Sequence, residues 1–329
     1  MRFGPVPLDD AIGAILAHSH AITGGRLRKG RVLGAGDIAA LRDAGATEVV
    51  VAQLDARDLD ENAAATKITS ALVADPAASH LHLTRASTGR VNIYATGPGV
   101  LDLNVARIEA ANRVDPLITL ATLPPFARTR DRGMVATVKI ISYAVKEAHV
   151  DQVADLLRGA MRVRPVQLRT ASLIITDIGT GPGKGEEAMR ARLDALGMTL
   201  KAIHVVPHQT DPLARAIAGD DNDLTLILTA SATSDPHDVA PEALRAAGGQ
   251  VTRYGMPVDP GNLLFLGHLG TRPVIGLPGC ARAPALNGAD WVLERIACGV
   301  PVSDADIAAM GVGGLLKESP ARPHPREKR

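Results

Sequence analysis

The apolar positions of this chain follow one steady rhythm in its second half and several in its first. Leu173 to Thr176 is a short apolar run that predicts a strand. Glu186 to Leu196 predicts a helix, with Met189, Leu193 and Leu196 on one face at spacings of four and three. "LKAIHVV" then predicts a strand, "DPLARAIAG" a helix, "DLTLILTA" a strongly apolar strand, "APEALRAAGG" a helix stopped by glycine, and "VTRYG" a further strand. Strands apolar on both faces, alternating with helices, predict an α/β class: a parallel sheet covered by helices.

The first half is a patchwork. "GDIAALRDAGATEVVVAQL" predicts a helix ending at Gly45 and a buried strand from Glu48 to Ala52. "DENAAATKITSALVAD" predicts a helix whose acidic first turn suits the dipole there. "HLHLTRASTGRVNIYATG" alternates around Ser87-Thr88-Gly89 and predicts a hairpin. "DLNVARIEAANRVD" and "HVDQVADLLRGAM" predict helices, "PLITLATLPP" and "MVATVKIISYAV" strands. A basic, proline-bearing stretch, "RVRPVQLRT", marks a boundary. The expected organisation is a smaller α+β region over residues 1–165, an α/β domain over 166–305 and a tail over 306–329. The end of that tail, "ESPARPHPREKR", has nothing to bury and is expected to be disordered.

Composition narrows the function classes. Hydrophobic residues make up 46% and charged residues 22%, enough for a real core, while aromatics are only 2% and the net charge is +1. Nucleic-acid readers show a basic stripe or aromatic stacking platforms, so no nucleic acid is expected. Cys280 and Cys298 form no CxxC pair, and no apolar run reaches membrane-span length. The first twenty residues carry acidic positions ahead of their apolar stretch and do not read as a signal peptide. A reduced, cytoplasmic setting without a membrane is therefore expected.

In an open α/β sheet ligands dock at the carboxyl ends of the strands. That rule selects "TDIGTGPGKGEE", "VPHQTDP", "TASATSDPHDVAP" and "LPGCARAP". "GTGPGKG" departs from a Walker loop, because Gly179 stands only four before Gly183 and Gly185 follows Lys184. The loop either cradles another anion or is a solvent loop with a helix cap. Asp235 and Asp238, three apart at a helix start, can hold Mg²⁺ or can cap the helix. His18 with His20, and His80 with His82, lack a third ligand nearby and read as surface histidines. Cys280 beside Arg282 is either a reactive thiolate or a small residue that fits a turn.

"YGMPVDPGNLLFLGHLGTRPVIGLPGCARAP" resembles the end of the molybdopterin-binding domain of molybdopterin molybdotransferases, where a GMPVKPGKP-like segment leads through a hairpin into a GLPGNP turn. "LTLILTASATSDPHDVAPEAL" resembles that family's glycine-rich loop with its later Asp. The resemblance spans roughly residues 170–300, and "GRVLGAGDIAALRDAGATEVVV" extends it more weakly into the first half. The whole is similar to the module that some bacteria fuse ahead of a molybdenum cofactor cytidylyltransferase.

The resemblance implies a three-layer, parallel-sheet molybdopterin-binding domain and a role in molybdenum cofactor biosynthesis. It implies molybdopterin and Mg²⁺ as cofactors, with molybdate insertion or pterin adenylylation as transferase chemistry. Asp238 and Asp177 are the implied catalytic residues, and Asp235 and Asp238 the metal ligands. The implied cofactor-binding residues are Thr176, Gly179, Lys184, Thr229, Ser231, Ser234, Gly255, Met256, Pro257, Gly261, Pro278, Gly279, Cys280 and Arg282. Gly276 and Leu277 complete the match to the final turn, and Pro260 the match to the preceding one. Lys184 and Arg282 would offset the ligand's phosphate. Relatives form dimers or trimers, so a homo-oligomer is expected, with the first half a candidate dimerisation surface.

Departures from the family pattern keep a second function open. Its paired glycines are Ala230 and Ser231 here, its acidic group after the first strand is reduced to Asp177-Ile178-Gly179, and His208 replaces an acidic residue after the second. Cys280-Ala281 replaces the Asn-Pro ending, and no counterpart of the β-barrel domain that follows in molybdotransferases is expected. The alternative is a non-catalytic carrier or sensor that hands the cofactor to a cytidylyltransferase or a molybdenum enzyme. A third is an α/β enzyme acting on another phosphorylated metabolite.

Overall fold

Thr170–Asp177 (β1) is the strand on which the second half is built; Leu173, Ile174, Ile175 and Thr176 are all buried. These positions come from a computed structural model, which describes residues 1–181 and 183–316. After β1 come Glu186–Asp194 (α1), Thr199–Pro207 (β2), Thr210–Ala218 (α2), Leu224–Leu228 (β3) and Val239–Ala246 (α3). Gln250–Tyr254 (β4), Phe265–Leu269 (β5), Arg272–Leu277 (β6), Gly288–Ala297 (α4) and Asp304–Ala308 (α5) complete this half.

The six strands form one sheet in the order β2-β1-β3-β6-β5-β4. Pairs β1–β2, β1–β3 and β3–β6 are parallel. The expectation of a parallel sheet is corrected at one edge, where β6–β5 and β5–β4 pair antiparallel. The reason is local: β5 and β6 are joined by a tight turn through Gly270, and so short a connection permits only an antiparallel pair.

Strand side chains alternate between the two faces, and the apolar clusters follow. Leu173, Ile175, Leu226, Leu228 and Ile275 pack with Met189 and Leu193 of α1 and Val292 and Leu293 of α4. Ile174, Ile227, Val274 and Phe265 pack with Leu213 and Ile217 of α2 and Ala243 and Leu244 of α3. Each fully buried Leu or Ile contributes about 1.5–3 kcal/mol, so burial on both faces explains the apolar run Leu173–Ile175 in β1 and Leu226–Leu228 in β3. The tail assigned to 306–329 is corrected at its start. Ile307 and Met310 enter the first cluster, and the Leu316 N–H donates to the Asp259 carbonyl. The segment 318–329 lies outside the described residues.

The chain divides into two units, one of residues 1–97 and 101–163, the other of 98–100 and 164 onward. In the first unit a four-stranded antiparallel sheet carries helices Glu61–Leu72 and Glu147–Leu157, which meet it through Ile68, Leu72, Val150 and Leu157. Its hairpin turns at Ser87–Arg90 with Thr88 and Gly89 at φ 48° and 68°, the backbone of a type I′ turn. A smaller sheet pairs Glu48–Gln53 with Arg2–Pro7. The sequence reading missed Arg2–Pro7 because it carries two prolines, which are tolerated only at a sheet edge.

Candidate functional site

Because β1, β2, β3 and β6 run parallel, their following loops emerge at one edge of the sheet. Side chains bind those loops together. Thr176, at the end of β1, accepts the Ala230 N–H from the loop after β3 at 2.8 Å. Its hydroxyl lies 2.9 Å from His208 Nδ1, after β2, and can donate to a neutral imidazole there. The strand order turns back between β1 and β3, the place where such sheets bind ligands. Here the Thr176 bond crosses that place.

Arg282 closes a second tie. It ends the short helical turn Gly279–Arg282 after β6 and donates to the Lys184 carbonyl at 2.7 Å and the Thr229 carbonyl at 3.0 Å. One guanidinium thus joins the loops after β1, β3 and β6. Burial lowers its pKa from the ordinary value, and the charge persists at neutral pH.

Two cavities open at this edge. One, of about 450 Å³, lies between Ala232 of the β3 loop, the segment Asp259–Leu263, and Pro278, Gly279, Cys280, Ala283 and Ala285 after β6. The other, about 560 Å³, lies at the ends of β1 and β2 between Asp177–Gly179 and Val205–Gln209. Both volumes suit a small ligand. The wall 259–263 is pinned to the start of α4: the Gly288 N–H donates to the Pro260 carbonyl at 2.8 Å. Gly261 holds that approach at φ 142°, and a Cβ there would stand 2.7 Å from the Gly288 nitrogen. Among the described residues, the lining of this first cavity includes one carboxylate, Asp259, one carboxamide, Asn262, and no basic side chain.

The predicted residues separate into groups. Gly261, Pro278, Gly279 and Cys280 line the first cavity; Asp177 and Gly179 line the second. Thr176, Thr229, Lys184 and Arg282 belong to the ties, Lys184 and Thr229 through their carbonyls. Arg282 and Lys184 therefore meet through the Lys184 main chain. Ser231 is exposed on the β3 loop. Gly255 is a turn residue at φ 78° whose N–H donates to the Leu264 carbonyl. Met256 is 4% exposed and belongs to the core, its sulfur packed at Gly288, so it is withdrawn from any ligand. Pro257 packs at Gly311 and Gly314 and lines neither cavity.

The carboxylates are engaged by backbone. Asp238 is the N-cap of α3: one oxygen accepts the Val239 N–H at 2.7 Å, the other the Ser234 N–H at 3.0 Å. Asp235 accepts the His237 N–H at 2.8 Å, and Asp177 accepts those of Gly179 and Thr180 at 3.1 Å each. Tyr254, whose hydroxyl donates to the Thr233 carbonyl, has its pKa raised by burial and by the charges of Asp235 and Asp238. Among the described residues no group of three His, Cys, Asp or Glu could hold a metal ion. A capping role has a measurable consequence. Asp238→Ala is expected to lower stability by about 1 kcal/mol in urea denaturation, with Asp238→Asn closer to the parent.

Asn262, Leu263 and Asp259 line the first cavity and were not singled out on the sequence. The signal was present, since "VDPGN" is turn chemistry directly beside the recognised glycine and proline positions.

Comparison with known proteins adds little weight. A family described as a domain of unknown function (DUF8806) matches residues 5–53, in the first unit. No curated protein matches. Among solved structures the chain is similar to a molybdopterin biosynthesis MoeA protein from Pyrococcus horikosii, at 13% identity and a TM-score of 0.31, covering 91% of this chain and 76% of that one. It is also similar to a molybdenum cofactor biosynthesis protein from Pyrococcus furiosus, at 13% identity and a TM-score of 0.25. That match covers 94% of this chain and 65% of the other. Likenesses this loose do not bear on topology or chemistry. No helix among the described residues is long and apolar enough to cross a membrane.

Proposed function

We propose that this chain binds molybdopterin in the 450 Å³ cleft and serves molybdenum cofactor biosynthesis as a binding and hand-over protein. One observation carries the reading: the two segments that resemble the molybdopterin-binding domain, separated in the chain by residues 245–253, line the same cleft. Ala232 comes from "LTASATSDPHDVAP", and Gly261 and Gly279 come from "YGMPVDPGN" and "GLPGCARAP". On this reading the sheet with helices on both faces is a three-layer molybdopterin-binding domain. A pterin ring presents N–H donors and carbonyl acceptors, which Asp259, Asn262 and exposed main chain can meet.

The side chains favour the non-catalytic form of the reading. Asp177, Asp235 and Asp238 each give oxygen lone pairs to backbone N–H groups, and the expected third acidic position is His208. That set is a poor fit for Mg²⁺, so no step of molybdate insertion or adenylylation is assigned through it. The recipient would be a cytidylyltransferase or a molybdenum enzyme.

The test is retention of pterin. The chain, purified from a molybdopterin-producing host, is oxidised and the released pterin measured by fluorescence; near-stoichiometric pterin is expected. Gly279 opens onto the cleft with nothing within 4 Å of its would-be Cβ, so Gly279→Phe should fill the cleft without disturbing the fold. Loss of affinity by at least about tenfold, ~1.4 kcal/mol, is expected for that variant. Absence of pterin from the parent protein, or equal retention by Gly279→Phe, removes the proposal.

A further inference from the structure

Arg192 lies on α1 beside the apolar face of Met189 and Leu193, at 8% exposure. A buried guanidinium needs a partner for each of its five N–H groups. Arg192 has five contacts. Nε donates to Asp290 Oδ1 at 2.5 Å, and one terminal nitrogen donates to the carbonyls of Ala188 at 3.2 Å and Ala281 at 3.0 Å. The other donates to the carbonyls of Ala283 at 2.9 Å and Ala285 at 3.1 Å. The second oxygen of Asp290 accepts the Asn287 N–H at 2.8 Å.

The three carbonyls at 281, 283 and 285 belong to the short helical turn Gly279–Arg282 and the loop that follows it before α4, and Ala283 and Ala285 line the cleft. The Ala285 carbonyl also accepts from Asn287 Nδ2, at 3.3 Å. A planar fork reaches all three from one side chain; a lysine ammonium, a point donor, does not. Arg282 closes the loop in the other direction, running from this wall to the Lys184 carbonyl just before α1.

We infer that Arg192 is the positioning residue of the cleft: with Asp290 as its counter-charge, it holds the wall Ala281–Ala285 in the shape that admits the ligand. The inference rests on the pterin reading only for the ligand's identity; the held wall stands on geometry alone.

The test uses Arg192→Lys in the full chain, with Leu193→Ala as a neighbouring core truncation that touches no wall carbonyl. Cys280 lines the cleft, whereas Cys298 is buried and its pKa is pushed up to about 12, chiefly by that burial. In Arg192→Lys, alkylation of Cys280 by iodoacetamide should accelerate about tenfold and molybdopterin affinity should fall about tenfold, with Cys298 still protected. Leu193→Ala should change neither. Equal effects in both variants, or an unchanged Cys280 rate in Arg192→Lys, overturn the inference.

Amide exchange on the parent protein gives a second measurement should Arg192→Lys fail to fold. Residues 281–287 should be protected to within about tenfold of α1. Exchange at free-loop rates overturns the inference. If the parent retains no molybdopterin, the pterin reading fails, while the Cys280 and exchange results still judge Arg192.

Discussion

Gly276→Ala is expected to destabilise the second unit by about 3 kcal/mol or more, the upper range for forcing atoms into a packed core. Gly276 on β6 stands opposite Phe265 on β5, and a Cβ would lie 1.9 Å from one ring carbon and 2.0 Å from the next. The ring has nowhere to go, because Phe265 is 0% exposed and packed among Val274, Ala243 and Leu244. At this size the loss corresponds to a fall in melting temperature of about 6–12 °C, read by calorimetry. The double variant Gly276→Ala with Phe265→Leu should recover part of it, since two residues in contact do not act additively. Additive losses would show that the ring is not the obstacle. Gly276 was matched on the sequence to a ligand-binding turn; the structure gives it a packing duty within β6, two residues before Pro278.

Asp220→Ala should cost about 3 kcal/mol, because a buried carboxylate organises several donors that would lose their partner. Asp220 is 6% exposed and accepts from Ser172 Oγ, from Thr225 Oγ1 at 2.5 Å, and from both the backbone and side-chain N–H of Asn222 at 3.1 and 2.8 Å. Burial pushes its pKa upward, but these hydrogen bonds outweigh burial and hold it below the usual value. The folded pKa is therefore lower than the unfolded one, near 3.9. The carboxylate's contribution is fully present above about pH 4 and is lost as pH falls through the folded pKa. Urea midpoints measured on either side of pH 4 should show a steeper acid decline in the parent than in Asp220→Asn. Parallel declines would remove Asp220 from the acid limb. Ser172 and Thr225 sit toward the amino ends of β1 and β3, opposite the candidate site. Pterin retention by folded Asp220→Asn should be unchanged.

The residues of the candidate site were legible where the resemblance to the molybdopterin-binding domain singled them out. Gly261, Pro278, Gly279 and Cys280 were all selected on the sequence, and all line one cleft. The site was not legible where a side chain's partner decides its role. Met256 carries no mark that separates a core methionine from one facing a ligand. Asp238 reads as a cap on its spacing and as a metal ligand on the resemblance, and its bonds to the Ser234 and Val239 N–H groups show the cap. Arg192 reads as a surface residue on a helix rich in charge, and its burial follows from an acidic partner 98 positions away.

By itself the sequence determined the alternation of strands and helices, their faces and the strand-end loops, because apolar periodicity and turn residues act over a few neighbours. Only the tertiary structure decided the antiparallel edge of the sheet, the two loop-binding ties at Thr176 and Arg282, and the wall held by Arg192. Those depend on hydrogen bonds between groups remote in the chain. A donor's residue type limits what it can bind, but its position after folding selects the acceptor.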